Sequence, residues 1–219
     1  MISVIIPTLN EIDTITLLLA DLKDCDAITE IIVVDGGSTD GTQEQVLSAG
    51  VACLSAGRGK ALQLNAGAAR ATNNMLLFLH ADSRVSASSL KTLARAVQHH
   101  DAGCFHLAFN KENWLYNVYA YFSMFNNTLF TYGDQGLFVR KDIFNQVAGY
   151  SALPIMEDID MVQKLKRVVR FKKLDVPIIT SARRFEKVGV IKQQLVNICL
   201  VLLYSCGVSP KVLKKYYPY

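Results

Sequence analysis

None of the five cysteines, Cys25, Cys53, Cys104, Cys199 and Cys206, forms a C-x-x-C pair with another. A scattered, odd-numbered set argues against both a disulfide framework and a structural zinc site. A reducing, cytoplasmic compartment is the expectation. The 219 residues also lack a block of Lys and Arg interleaved with aromatics, and the net charge is only +4. A dedicated nucleic-acid reader is therefore disfavoured, and an acidic small molecule suits the chain better. There is no G-x-G-x-x-G after the first apolar run and no G-x-x-x-x-G-K-[ST], so dinucleotide-dependent redox and P-loop NTPase chemistry lose most of their support. No basic stretch leads into a long apolar segment at the start, and no export signal is expected. The most apolar segment, Leu195 to Val208, is shorter than the roughly 20 residues that cross a bilayer. It reads as a buried or membrane-surface helix, with burial favoured. Repeats, low-complexity tracts and linkers are also missing.

What is present is a packed α/β pattern, with 51% apolar and 19% charged residues. Short β-branched runs at 2–6 and 31–34 read as buried parallel strands. Between them Ile12, Ile15, Leu18, Leu19 and Leu22 recur at helical spacing, with Asn10 placed as an N-cap. The pattern continues as a helix near 43–49, a strand at 51–54, a helix at 60–71 and a strand at 75–79. After that come a helix near 88–98, a strand near 104–109, the aromatic segment from Trp114 to Phe125, the strand "GLFVR" and the helix "KDIFNQV". An acidic-headed helix from Glu157, the strand-like "FKKLDVPIITSARR" and a C-terminal helix complete the chain. An open, mostly parallel sheet covered by helices on both faces is the natural architecture.

Such sheets bind ligands beyond the carboxyl ends of their strands. Pro7-Thr8-Leu9-Asn10-Glu11 follows the first strand, and Asp35-Gly36-Gly37-Ser38-Thr39-Asp40-Gly41-Thr42 the second. Asp35 is a carboxylate at a strand tip beside two glycines, suited to hydrogen-bonding a nucleotide's base or ribose; a satisfied turn is the alternative. Asp40 reads as a cap for the next helix together with Thr42. Arg58 and Lys60 open a helix rich in small residues, where cations and free N–H groups suit a diphosphate. Exposed surface cations are the alternative, weighted equally for Lys60.

The segments "VIIPTLNE", "IIVVDGGSTDGT", "GRGKALQLNAGAARA", "FLHADSR" and "MEDIDM" run in the order found in family 2 glycosyltransferases of the GT-A fold, from Val4 to Met161. The downstream "TSARRFEKVG" is similar to that of small single-domain bacterial members. The resemblance implies a GT-A-like, Rossmann-related α/β fold with an open mixed, mostly parallel sheet. It implies one domain over 1–219, with 1–84 as the nucleotide-binding half and 85–219 as the acceptor-facing half carrying the C-terminal helix. The implied activity is inverting sugar transfer from a nucleotide-sugar donor, a UDP- or GDP-sugar, with Mn2+ or Mg2+ on the diphosphate. By the same resemblance Pro7, Thr8, Asn10 and Glu11 line the nucleotide pocket, Asp35 with Gly36 holds the base, and Arg58 and Lys60 approach the nucleotide. Asp82 matches the last acid of the family's D-x-D signature, and one carboxylate can suffice when phosphate and water supply the other ligands. His80 occupies the slot of the first acid, with Ala81 between them. An imidazole there could hydrogen-bond ribose or phosphate, which is preferred to ligating Mn2+, or it could equally sit satisfied at the sheet rim.

An inverting transfer needs a base for the acceptor hydroxyl. The resemblance gives that role to Asp158, with Glu157 orienting it or binding acceptor, although acids at a helix start also simply favour its dipole. Asp160 reads as solvated. Arg183 or Arg184, after an apolar strand, suits the departing diphosphate. "YGDQG", Tyr132 to Gly136, could contact sugar or acceptor. The aromatic stripe from Trp114 to Phe125 reads as core. The basic run Lys164–Lys173, with Lys211, Lys214 and Lys215, reads as solvated, with peripheral membrane contact at the inner face through the C-terminal helix as the alternative. The acceptor stays open between a lipid-linked and a small molecule, and no nucleic-acid partner is expected. Two other functions remain: a non-catalytic nucleotide-sugar sensor, and a sugar-1-phosphate nucleotidylyltransferase. The latter would want a glycine- and arginine-rich loop where "PTLNE" stands.

Overall fold

The computed structural model describes residues 1–111, 113–182 and 189–217. The chain opens as β1 (Ile2–Thr8), α1 (Ile12–Lys23), β2 (Ile28–Asp35), α2 (Thr42–Ser48), β3 (Ala52–Ser55), α3 (Lys60–Arg70) and β4 (Met75–Phe78). It continues as α4 (Ala87–Ala96), β5 (Ala102–Phe109), α5 (Trp114–Ser123), β6 (Leu137–Arg140), α6 (Lys141–Gln146), α7 (Glu157–Val168) and β7 (Lys172–Thr180). Near the end come α8 (Val190–Ser205) and the short α9 (Pro210–Leu213). The strands form one seven-stranded sheet in the order β3-β2-β1-β4-β6-β5-β7. Only β6 runs antiparallel to its neighbours; the remaining pairs are parallel. This is the mixed, mostly parallel, GT-A-like α/β sheet that the sequence pattern anticipates.

Alternation along β1 splits the core into two layers, because successive strand residues face opposite sides. Ile2, Val4 and Ile6 pack with Ile15, Leu18, Leu19 and Leu22 of α1. Ile5 packs on the other face with Leu64 and Ala68 of α3. The approach of α3 is close: a Cβ on Gly67 would lie 2.4 Å from a methyl of Ile5. Any larger residue there would lift α3, and with it every side chain α3 delivers.

Sheet order reverses between β1 and β4, the topological switch point where open α/β sheets bind ligands. Pro7 sits there. The Ile5 carbonyl accepts from Leu79 N at 3.0 Å, and the Thr8 carbonyl accepts from Gly36 N at 2.9 Å. Odd-numbered residues at this end of β1 therefore face β4 and even-numbered ones face β2. Pro7, which has no N–H to donate, points to the side where β4 has already ended at Phe78. The missing donor therefore costs no strand-pairing hydrogen bond.

Several expectations are corrected. Asn10 does not cap α1, whose N-cap residue is Glu11; Asn10 has φ +56° and faces the second loop instead. β7 stops at Thr180, and Arg183 and Arg184 lie outside the described residues. Asp160 is not solvated: it accepts from Ser151 Oγ at 2.6 Å and pairs with Lys164 at 2.9 Å. Tyr204 of α8 also donates to it, at 3.3 Å. The basic run divides: Lys173 donates to Gln135 and to Cys104 Sγ inside the fold, whereas Arg167, Arg170, Lys172, Lys211, Lys214 and Lys215 are exposed. The aromatic stripe divides: Tyr116 and Tyr119 are core, whereas Trp114, Tyr121, Phe122 and Phe125 are exposed. The C-terminal apolar helix is not buried. It packs on α5, α9, the turn at Thr128–Phe130 and Ile155, and leaves Ile191, Leu195, Leu202 and Leu203 exposed.

Candidate active site

Two loops at the carboxyl ends of β1 and β2 are stitched together by side chains. Asp35 is buried, and its Oδ2 accepts from Gly37 N and Ser38 N, both at 2.9 Å. Its Oδ1 accepts from Ser38 Oγ at 2.5 Å and Thr8 Oγ1 at 3.3 Å. Burial alone would push this carboxyl up, but the donors from Ser38, Gly37 and Thr8 win and hold it below the usual aspartate value. These four donors fill the acceptor sites a carboxylate offers. Across the gap, Asn10 N donates to Ser38 Oγ and Asn10 Oδ1 accepts from Thr39 N, each at 2.9 Å. Asp40 serves two helices: it accepts from Ile12 N of α1 at 3.1 Å, and from Thr42 N and Oγ1 of α2 at 3.0 and 2.6 Å. Glu11 N donates to Thr42 Oγ1 at 3.0 Å.

The helix α3 reaches three parts of the site. Gln63 Nε2 donates to the carbonyls of Thr8 and Val34, both at 2.8 Å, tying the ends of β1 and β2 from below. Asn65 exchanges two hydrogen bonds with the Tyr150 backbone, at 2.8 and 2.9 Å. Lys60, at the first turn, reaches α7: its Nζ lies 2.5 Å from Asp158 Oδ2 and 3.4 Å from Glu157 Oε1. Arg58, by contrast, is exposed.

The acids Glu157 and Asp158 start α7 behind Met156, which takes the left-handed conformation at φ +69°. Their place at a helix N-terminus is favourable, but side by side they repel. Burial and the neighbouring Asp158 push the Glu157 carboxyl up, with Lys60 opposing. Burial works against the Lys60 ammonium too, yet Asp158 and Glu157 more than offset it and raise its pKa above the ordinary lysine value. The cluster is two acids on one cation. Burial and the same acids hold the Tyr150 phenol protonated well past its usual range. The turn Gly133–Gln135 closes over Asp158: a Cβ on Gly133 would sit 1.9 Å from Asp158 Oδ2, so no side chain fits.

The last component follows β4. Phe78 pairs with Leu137, which places the turn Gly133–Gln135 and the segment after β4 at the same sheet end. There Ser83 N donates to the His80 carbonyl at 3.1 Å, folding His80, Ala81 and Asp82 into a tight turn; His80 and Asp82 are half-buried. Among the described residues no group of three His, Cys, Asp or Glu side chains could hold a metal ion. A divalent cation at Asp82 would therefore take most of its ligands from a diphosphate and water, which fits a hard ion with one or two protein ligands.

Gln63, Asn65 and Tyr150 were not singled out from the sequence, whereas Gly133 lies in the YGDQG segment that was. Gln63 had a signal, being a polar residue on the inward stripe of α3 with Leu64, Gly67 and Ala68. YGDQG reads as able to contact sugar or acceptor, but the close approach of Gly133 to Asp158 had no local signal, because it is set by a carboxylate far away in the chain.

The fold and this arrangement define a GT-A-like α/β protein with its site at the switch point. The family model for glycosyl transferase family 2 matches residues 3–153, and the chain belongs to that family. Glu157 and Asp158 fall just beyond the matched residues. No curated protein matches by sequence. Among solved structures, residues 1–349 of S. aureus TarS superpose with a TM-score of 0.70 at 20% identity, over 90% of this chain and 64% of that one. The same TarS fragment in complex with UDP-GlcNAc gives 0.67 at 21% identity, over 82% of this chain and 58% of that one. The mannosyltransferase PcManGT from Pyrobaculum calidifontis, in complex with GDP-Man and Mn2+, gives 0.66 at 22% identity, over 96% and 66%. Glucosyl-3-phosphoglycerate synthase from Mycobacterium tuberculosis, in complex with Mn2+, UDP and glucosyl-3-phosphoglycerate, gives 0.66 at 17% identity, over 94% and 80%. The chain thus spans less than two thirds of the TarS fragment.

Proposed function

We propose that this protein transfers a sugar from a nucleotide-sugar donor, a UDP- or GDP-sugar, to an acceptor hydroxyl with inversion at the anomeric carbon. The observation that carries the reading is the acid pair Glu157-Asp158, gripped by Lys60 and roofed by Gly133, at the switch-point end of the sheet. The loops of Thr8–Glu11 and Asp35–Ser38 form the nucleoside side. With the Asp35 carboxylate already committed to its own loop, a base or ribose is met by that loop's shape and by Ser38 Oγ, which can turn away from Asp35. Arg58 is exposed and free to approach the phosphates.

In the transfer, Asp158 accepts the acceptor's hydroxyl proton as that oxygen attacks the anomeric carbon opposite the nucleotide. Positioned bases of this kind contribute about 100- to 10,000-fold. Lys60 fixes the orientation of the Asp158 carboxylate, and Glu157 faces the acceptor. Asp82 would hold a divalent cation, Mn2+ or Mg2+, whose chemistry is to neutralise charge on the departing diphosphate; His80 is placed to hydrogen-bond the same group. Arg183 or Arg184 is proposed to steady the leaving nucleotide.

A thermal-shift panel of UDP-, GDP- and dTDP-sugars with Mn2+ or Mg2+ tests the donor, followed by donor turnover with and without candidate acceptors. Metal-dependent stabilisation by one donor, lost in Asp82→Ala, is the expected result. An undiminished Asp82→Ala variant overturns the cation assignment. Tight binding without turnover of any donor favours a sensor.

A further inference from the structure

The helices α5 and α8 pack against each other, and each leaves an apolar face uncovered. On α8, Ile191, Leu195, Cys199 and Leu202 recur at helical spacing on the exposed side, with Ile191 60% and Leu195 59% exposed. The opposite side carries Gln193, Leu200 and Val201, all buried. On α5 the exposed residues include Trp114 at 71% and Tyr121 at 58%. Soluble surfaces rarely gather this many large apolar side chains on neighbouring elements without a partner.

The charges beside these faces indicate which partner. α5 has no charged residue, and residues 189–217 contain Lys192, Lys211, Lys214 and Lys215 without a single Asp or Glu. All four lysines are exposed. Trp and Tyr settle at the water–lipid boundary, and an amphipathic helix with lysines beside its apolar face lies in the headgroup plane of an anionic leaflet. A second copy of the chain joined through this face about a twofold axis would bring the lysines of the two copies together. Among the described residues no helix is long and apolar enough to cross a membrane, so the contact is with its surface.

We infer that the α5–α8 face docks this protein on an anionic phospholipid surface, with Trp114 and the Ile191–Leu202 stripe entering the headgroup region and the C-terminal lysines pairing with lipid phosphates. The inference does not depend on the proposed activity.

Trp114 is the single tryptophan and serves as the reporter. The full chain is titrated with vesicles of phosphatidylcholine alone and of phosphatidylcholine mixed equally with phosphatidylglycerol, following Trp114 emission and co-sedimentation. The expected result is a blue shift and partitioning with the anionic vesicles, weakened by salt. Each lysine neutralised in Lys214→Gln and Lys215→Gln should lower partitioning roughly fivefold, from about 1 kcal/mol per basic residue. Leu195→Ser and Leu202→Ser should lower it further while leaving thermal melting unchanged, since both side chains are exposed. Unshifted Trp114 emission with anionic vesicles overturns the inference, as does equal binding to neutral ones. A concentration-dependent dimer abolished by Leu195→Ser would assign the face to a second copy and overturn it as well.

Discussion

The two ends of the candidate site hold their carboxylates in opposite ways. Asp35, at the nucleoside end, is surrounded by uncharged donors from its own loop and from Thr8, and its pKa falls. At the acceptor end Glu157 and Asp158 share one lysine, and the Glu157 pKa rises. The first acid has become part of the scaffold, while the second pair keeps an unbalanced charge that a proton or an acceptor can relieve. On the proposed reading, a perturbed carboxylate marks chemistry here only where its partners are charged and too few.

The largest expected effect separates the two ends directly. Asp158→Asn should lower kcat by about 100- to 10,000-fold with donor affinity nearly intact, measured by turnover against donor-induced thermal shift. A variant with wild-type kcat would end Asp158's role as base. Lys60→Met comes next. Removing the cation that pairs with both acids leaves two half-buried carboxylates side by side, so stability should fall by about 1–3 kcal/mol and kcat should fall with it, with partial rescue by Lys60→Arg. Loss of stability without loss of kcat would make Lys60 only a strut.

Asp35→Asn should act mainly on stability, by about 1–3 kcal/mol, together with weaker donor binding. The pH dependence has a definite sign: a carboxyl lowered below its ordinary 3.8 contributes stability above that value and loses it as pH falls through the folded-state pKa. Acid unfolding followed by circular dichroism should therefore be shallower below pH 3.8 in the variant than in the wild type. Equal acid limbs would show that folding does not lower the Asp35 pKa. The smallest effect is expected from His80→Asp, which supplies the missing acid and should shift metal preference or donor affinity by a few-fold. No change in either would leave His80 a rim residue.

The sheet was legible because its signals are local: β-branched runs, helical spacing and glycine-rich turns each depend on a few neighbours. The same locality explains the misreadings. Asn10 next to a helix start looks like a cap, but the Thr39 N–H, distant in sequence, claims its oxygen. Asp160 on a helix looks solvated until Ser151 and Tyr204 arrive from other elements. Leu195 to Val208 reads as core because apolarity does not reveal which surface remains to be covered. The helix α8 finds α5 and the turn at Thr128–Phe130, and one of its sides is left exposed.

The link between Lys60 and Asp158 also bears on the order of folding. It spans 98 residues, whereas the Thr8–Asp35 contact spans 27. Closing the longer loop costs more chain entropy, and β6 must first insert antiparallel between β4 and β5. The nucleoside end can therefore form early from nearby chain, and the acid pair gains its counter-ion only as the far half docks. Until then Glu157 and Asp158 stand side by side without Lys60, so the geometry on which the proposed transfer rests is completed only with the fold.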